Sequence, residues 1–572
     1  MSETTLAPRP DGAPPADLRV AHAIASALRQ NGVDRLFLMT GGDLLLWRAL
    51  RDEGIKLCLA RSEASSVAMA DAYARLSGRP AVVYGQWGPG AANVAGALAD
   101  AHWARSPVVA ITSTVPTTVE YKFEYQELDQ PPMFAAVTKW QSRVNRPDRA
   151  GELIAQGLRI AASDCPGPVH IDIPADTIRE PVAGLGEWTL APAPAAATAT
   201  GAAVEDLIGL LVASERPAIL AGNGVLLAGG ERRLVELAEA AAIPVFTTLG
   251  GKGSIPENHP LSAGVVGRYA STSSNAIVRE ADFVIAIGTD LGGLATDTYT
   301  LPSPQADVFQ IDISAERVGQ TRPLAGSLLA DAGEACAALA ARLGGETGDH
   351  GAWLDSVQER RLDWRRSFAA VAAREADGHV RPEAVVTALR EAMAAEDILV
   401  ADTGFMGAWG GALFPVHAAG RTFLRAAGTL GWAFPAVLGA QLAAGSGRRA
   451  FALIGDGGFG YSVGDLETAV RLGIPAVTLV LNNASLAYEH VGFEHNHGGD
   501  IVHEVCDFVD VDHGAIASAY GAFGARVDSA AALREALRKA ISGDRPAVID
   551  IVVKRTRLAP VTSFDSRLER DI

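Results

Sequence analysis

Residues 451–460 read FALIGDGGFG, an apolar run closing in glycines at 455, 457 and 460. Such spacing suits a turn whose backbone N–H groups and following helix N-terminus receive a phosphate. Asp456 sits inside that turn, and its carboxylate would repel a phosphate in a dry site unless positive charge lies between them. A divalent cation supplies that charge. Mg2+ prefers near-octahedral oxygen coordination, so further oxygen donors must stand close by. The run AVTLVLNN at 476–483 offers them. Asn483 lies 27 positions beyond Asp456, a span that fits a turn, a helix and an adjacent parallel strand ending beside the first. Each stretch alone is also an ordinary turn; together, each closing an apolar strand, they describe a site for a metal-bridged diphosphate. The rival use of the glycines, a nicotinamide dinucleotide site, calls for an acidic ribose-binding residue at the tip of the next strand. That tip reads LNN.

Turns of this kind need parallel strands to carry them, and the chain supplies three sets. Short β-branched runs alternate with Ala- and Leu-rich helical stretches, the pattern of doubly wound parallel sheets. Strands are predicted at 36–39, 81–84, 108–112 and 169–174, then at 218–220, 245–247, 283–288 and 308–313, and finally at 398–402, 450–455, 476–483 and 547–553. A Pro-, Ala- and Thr-rich stretch at 190–201 reads as a linker. An Ala-rich helix near 330–343 is followed by GGETGDHG at 344–351, a second boundary. Three α/β domains are expected, at 17–188, 202–345 and 365–556, with a frayed Pro- and Ala-rich start at 1–16 and a tail at 557–572. SGRPAVVYG (77–85) and SGRRAFALIG (446–455) echo one another, which favours related plans for the first and third blocks.

Composition narrows the partners. With 572 residues and 48% hydrophobic content the chain can bury several cores. A formal net charge of −17 argues against nucleic acid or an anionic membrane surface as partner, since both need a positive field. The four cysteines, Cys58, Cys165, Cys336 and Cys506, follow neither metal nor disulfide spacing and read as buried thiols. No signal peptide and no run of 18 apolar residues is expected, which makes the cytoplasm the default location.

The pairing of GDG with NN on the next strand resembles the signature of thiamine-diphosphate enzymes. GDGGFGYSVGDLETAVRLGIPAVTLVLNNASLAYEH is similar to their acetolactate synthase-like branch, and the likeness covers nearly the whole chain. It implies three domains that bind the pyrimidine, form a central block and bind the diphosphate. Asp456, Asn483 and the backbone carbonyl of Ser485 would hold Mg2+, with Gly455 and the amides of Gly457 and Gly458 at the diphosphate. RSEASSVAMADAYARLSG (61–78) resembles the segment carrying the family's catalytic acid, which places Glu63 in that role, with Ser62 where many relatives have His. Gly88, Pro89, Gly90 and Asn93 fit the family's glycine-proline turn, while Gln86 and Trp87 replace smaller residues. YQELDQ (125–130) resembles a pocket segment and makes Gln126 the candidate for polarising a substrate carbonyl. Gly428, Thr429 and Leu430 fall in a cofactor-binding turn, with Leu430 as the apolar wedge under the cofactor's rings. Thr403 and Gly404 match a diphosphate-contacting segment, although Phe405 and Met406 stand where relatives carry Gln and His. Glu489 is the candidate proton shuttle, with Glu494 as substitute.

Relatives that bind FAD carry an Arg soon after the strand that here ends in AIGTD; this chain has Asp290 and GGLATDT instead, so FAD is not expected. The implied reaction is thiamine-diphosphate- and Mg2+-dependent carbon–carbon bond cleavage or carboligation on a 2-oxo acid or 2-hydroxyacyl substrate. A 2-hydroxyacyl-CoA lyase or oxalyl-CoA decarboxylase acting on a thioester stays open. So does a catalytically silent regulatory homologue, although such a chain would be expected to lose Glu63 or Asp456. The resemblance also implies a homodimer or homotetramer with active sites at the subunit interface.

Overall fold

The computed structural model describes residues 17–189, 201–343, 348–374, 376, 378–555 and 559–561. The start at 1–16, nearly all of the linker at 190–201, part of the boundary at 344–351 and most of the tail at 557–572 lie outside the described residues. Among the described residues, strands form three six-stranded sheets. The first contains β1 (Arg35–Leu38), β2 (Lys56–Leu59), β3 (Ala81–Gly85), β4 (Val108–Thr114), β5 (Trp140–Arg143) and β6 (Val169–Pro174). The second contains β7 (Pro217–Ala221), β8 (Val245–Thr247), β9 (Ser262–Val265), β10 (Phe283–Ile287), β11 (Asp307–Asp312) and β12 (Gly326–Leu329). The third contains β13 (Ile398–Ala401), β14 (Phe423–Arg425), β15 (Ala450–Gly455), β16 (Val477–Asn482), β17 (Phe523–Val527) and β18 (Ala547–Val552). Every strand pair in them is parallel. The chain is an α/β protein of three doubly wound sheets.

Counting from each sheet's own first strand, the first and third sheets share the order 2-1-3-4-6-5, whereas the central sheet runs 3-2-1-4-5-6. The two echoing segments lead into β3 and β15, the third strand of each like-ordered sheet. In such sheets, ligands gather beyond the strands' C-terminal ends where the order reverses. In the third sheet that point lies between β13 and β15.

By its contacts the chain divides into two compact units. One comprises residues 1–193 with 438–444 and 467–472; the other holds the remainder. The inner strands are buried along almost their whole length, as parallel strands covered on both faces must be: β4 and β16 have no exposed residue. The predicted inner strands match those observed to within a residue or two at their ends. The six edge strands β2, β5, β9, β12, β14 and β17 went unpredicted. Cys58, Cys336 and Cys506 are buried, but Cys165 is only half-buried, a correction to the expectation that all four are. No helix among the described residues is long and apolar enough to cross a membrane.

Candidate active site

In the first unit, Glu63 opens the helix Glu63–Ser77. Ser62 is that helix's N-cap: its hydroxyl accepts the Ser65 amide at 3.0 Å, a short side chain suited to this job. The Glu63 carboxylate accepts from the Asn93 amide Nδ2 at 3.1 Å. Asn93 projects from the helix Pro89–Trp103, which starts in the turn after β3. At Gly88 φ is +67°, and a Cβ there would collide with the Gln126 carbonyl, so the turn requires glycine. A Cβ on Gly90 would stand 3.1 Å from Glu63 Oε1. The Gln86 amide reaches Gln126 Oε1 at 3.4 Å, and Trp87 Nε1 donates to the Tyr125 carbonyl at 3.2 Å. Glu63, Gly88 and Gln126 therefore gather around one turn, with Gln126 itself at φ +63°.

Gln130, which sequence reasoning passed over in favour of Gln126, holds this turn from behind. Its Oε1 accepts the Gly88 amide at 2.8 Å. Its Nε2 donates to Thr112 Oγ1 at 3.1 Å, to the Ser113 carbonyl at 3.0 Å and to Asp172 Oδ1 at 2.8 Å. Burial pushes the Asp172 carboxyl up to about 6, although hydrogen bonds from Thr112 and Gln130 and the Arg143 charge oppose it. His170, stacked on Phe134 at 3.6 Å between ring centroids, is driven down to about 3 by burial and is neutral at pH 7.

In the second unit a cavity of about 360 Å3 opens beyond the C-terminal ends of β13, β15 and β16. Its wall includes Thr403 and Gly404 after β13, Leu430, the turn Gly455–Gly458, Asn483, Ser485 and Glu489. Gly428 and Thr429 are exposed beside Leu430 and do not line it, while Glu494 is exposed farther along the helix Ala487–Asn496. Phe405 and Met406 do line the cavity, so the departures from Gln and His place apolar groups in its wall.

Burial pushes the Asp456 carboxyl up to about 6; the amides of Gly457, Asp456 itself and Ser485 pull it down, and the charge of Asp550 adds to the rise. A carboxyl only 7% exposed and facing a cavity gains most from a cation. The Asn483 Oδ1 accepts the Ser485 amide at 3.0 Å, which brings carboxylate, amide oxygen and the Ser485 backbone to one corner. These are hard oxygen donors with room for a ligand's oxygens, a set that fits Mg2+ bound with a diphosphate. The neighbouring Asn482 is turned into the protein: its Nδ2 donates to the Val511 carbonyl at 2.8 Å and its Oδ1 accepts the Ala484 amide at 3.2 Å. One asparagine fixes the strand-end turn and the other faces the cavity.

Three further residues escaped the sequence. Asp402, fully buried, accepts the amides of Gly431 at 2.9 Å and Ala433 at 3.2 Å, fixing the turn that presents Leu430. Arg555 donates to the carbonyls of Asn483 at 2.8 Å and Ala484 at 3.2 Å and to Asp507 at 2.8 Å. Lys554 lines the cavity beside it. The groups that Asp402 and Arg555 bind lie tens of residues away in sequence, so local spacing does not give these roles.

Comparison with known proteins decides the class. Thiamine pyrophosphate enzyme profiles match the chain in order: the N-terminal TPP binding domain at 18–133, the central domain at 204–339 and the C-terminal TPP binding domain at 402–551. The chain is 31% identical to a probable acetolactate synthase large subunit of Methanocaldococcus jannaschii, over 96% of this chain and 94% of the relative. The chain belongs to the thiamine pyrophosphate enzymes. It is a TPP-dependent enzyme of the acetolactate synthase-like branch, catalysing carboligation or carbon–carbon cleavage. It is also similar to a probable 2-ketoarginine decarboxylase of Pseudomonas aeruginosa (32% identity, 83% of each chain) and to a sulfoacetaldehyde acetyltransferase of Rhodobacter capsulatus (30% identity, 91% of each chain).

Proposed function

We propose that this TPP enzyme is a Mg2+-dependent lyase or carboligase acting on a 2-oxo acid, acetolactate synthase-like in its reaction. The observation that carries it is the buried Asp456 carboxyl, set against Asn483 and the glycine amides in a cavity at the switch point of the third sheet. Bound thiamine diphosphate supplies a nucleophilic carbon and an electron sink for the bond beside a carbonyl. The chain's residues do the rest. Asp456, Asn483 and the Ser485 carbonyl hold Mg2+, and the amides of Gly457 and Gly458, with Gly455, Thr403 and Gly404 beside them, receive the diphosphate. Leu430, on the turn of Gly428 and Thr429, would give the cofactor's rings an apolar support. Glu63, its second oxygen held by Asn93, would exchange a proton with the pyrimidine ring. Gln126, near Gly88, orients the substrate carbonyl, and Glu489 moves a proton to or from the reacting carbon.

The domain limits 17–188, 202–345 and 365–556 belong to the same proposal. So does assembly into a cytoplasmic homodimer or homotetramer, in which one copy's Glu63 serves another copy's diphosphate site. Supporting the assembly, the loop that carries Gln126 exposes Tyr121, Phe123 and Tyr125, with Phe123 wholly exposed; a patch of this kind is one that a partner covers. Mixing Glu63→Gln and Asp456→Ala subunits tests it. If the two groups act across subunits, random dimers regain about a quarter of wild-type activity from two inactive parents. If they act within one chain, none returns.

The substrate is tested by incubating the holoenzyme with pyruvate, oxalyl-CoA and short 2-hydroxyacyl-CoA esters and identifying products by mass spectrometry. Acetolactate from pyruvate is the expected result. Consumption of a thioester with pyruvate untouched would move the assignment to a 2-hydroxyacyl-CoA lyase or oxalyl-CoA decarboxylase, and inertness towards all three would favour a silent regulatory homologue.

A further inference from the structure

A second cavity, of about 250 Å3, lies in the second unit away from the residues described above. The central sheet contributes Glu257 and β9, the connecting helix Gly351–Ala372 contributes Arg361, Trp364, Arg365 and Phe368, and the helix Pro382–Ala392 contributes Arg390. Its charges do not balance. Both acids in the wall are already engaged: Glu257 takes Lys252 Nζ at 2.6 Å and the Val416 amide at 3.0 Å, and Glu391 takes Arg534 at 3.0 Å.

The guanidinium groups are met mostly by neutral carbonyls. Arg390 donates to the carbonyls of Pro415, Met393 and Ala394. Arg361 donates Nη1 to the Glu257 carbonyl at 3.0 Å, while its buried Nε has no acceptor. Arg365 has no hydrogen bond or ion pair among the described residues. Burial first and the Arg365 charge second push the Arg361 guanidinium down to about 10, and Lys252 is lowered by burial with a contribution from the same Arg365. An orphaned guanidinium N–H beside a second unpaired guanidinium is the complement of a planar carboxylate. Beside the arginines on the same helix, Trp364 and Phe368 stack with centroids 5.8 Å apart and planes 15° from parallel, and Val386, Leu413 and Pro415 add to this apolar lining.

We propose that this cavity binds a small organic monocarboxylate with an apolar body, aryl or branched aliphatic, its carboxylate on Arg361 and Arg365 and its body against Trp364 and Phe368. The volume admits such a molecule and falls below that of drug-sized pockets. An anion here relieves the repulsion between the two guanidinium groups. A bare anion leaves the apolar wall unused, and a neutral analogue leaves the cations unpaired. Because the walls come from the central sheet, the third domain and the helix joining them, occupancy ties these three elements together.

The test uses full-length protein saturated with thiamine diphosphate and Mg2+, so that the first cavity is filled. Phenylacetate and isovalerate, which separate the aryl from the branched aliphatic case, are titrated by calorimetry and by the fluorescence of Trp364. Phenylacetamide and inorganic phosphate serve as controls. At least one acid is expected to bind saturably at one site per chain. Both controls and the Arg365→Gln variant are expected to bind it or be bound at least about tenfold more weakly, as for loss of a charged hydrogen bond. Arg365→Lys is expected to recover part of the affinity, and thiamine diphosphate affinity is expected to be unchanged in both variants. Should Arg365→Gln not fold, Arg365→Lys and the phenylacetamide comparison still decide. Binding of neither acid, equal binding of acid and amide, or acid binding indifferent to Arg365 would overturn the proposal.

Discussion

Two turns occupy the same place in two sheets of the same order, one after β3 and one after β15, and they differ in where their carboxylate comes from. The turn after β3 is neutral, reading GQWGPG from Gly85, and leaves room for a carboxylate that arrives from elsewhere, Glu63. The turn after β15 carries its own acid, Asp456. Each also lies against a buried acid. Asp172 reaches Gly88 through Gln130, and Asp402, which binds the amides of Gly431 and Ala433 in the neighbouring turn, stands against Gly458. The fold thus supplies two like-placed turns, and in the function proposed above the first receives a proton-transferring carboxyl while the second carries a ligand for a cation.

Exchanging those tasks should have the largest effect. Glu63→Gln is expected to lower turnover by about 10^2- to 10^4-fold, the usual worth of a positioned proton-transfer group, while calorimetry still detects Mg2+-dependent cofactor binding. Asp456→Ala is expected to do the reverse and weaken cofactor retention; wild-type cofactor affinity in that variant would remove its metal role.

The glycines that face the two carboxylates sharpen the comparison. A Cβ on Gly458 would collide with Oδ2 of Asp402, whose carboxylate accepts one amide on each oxygen, whereas a Cβ on Gly90 would stand 3.1 Å from Glu63 Oε1, whose carboxylate Asn93 holds through the other oxygen. Gly458→Ala is therefore expected to cost about 1–3 kcal/mol in denaturant unfolding, of the order for an overpacked core position. Gly90→Ala is expected to cost less than ~1 kcal/mol and to show its main effect in turnover.

A third expectation concerns pH. Asp172 and Asp456 are both raised by burial to about 6, but only Asp456 faces a cavity lined for a cation. For Asp172 the folded-state value stands above the ordinary 3.8, so its contribution to stability is full below that value and is lost as pH rises through about 6. Relative to Asp172→Asn, the wild-type protein is expected to lose up to ~3 kcal/mol over that window, the 2.2-unit difference at 1.36 kcal/mol each. Thermal melts of both proteins at pH 5 and pH 7.5, between which about half of that loss falls, would show it, and a pH-independent difference would refute it. The smallest effect belongs to Leu430→Met, expected to stay within about threefold of wild-type turnover because the swap conserves volume.

Sequence and structure divide along physical lines. The inner four strands of each sheet were legible because both of their faces are buried, which forces continuous apolar runs such as VVAIT and AFALIG. The edge strands WQSR, KLCL and GSLL were not, because a strand with a half-exposed face and one free edge has no such run to show. That Asp456 and Asn483 would line one cavity was legible, because each closes an apolar strand and such strands joined by one crossover end side by side.

The amino-acid sequence by itself determined the fold class and the cofactor family, and it named the residues proposed to meet a metal and a proton. Only the tertiary structure decided which asparagine faces the cavity, that Gln130 rather than Gln126 braces the Gly88 turn, and that Arg361 and Arg365 share a cavity with unequal charge. Those outcomes depend on where side chains distant in sequence come to rest, and burial then sets whether a polar atom among them finds a partner.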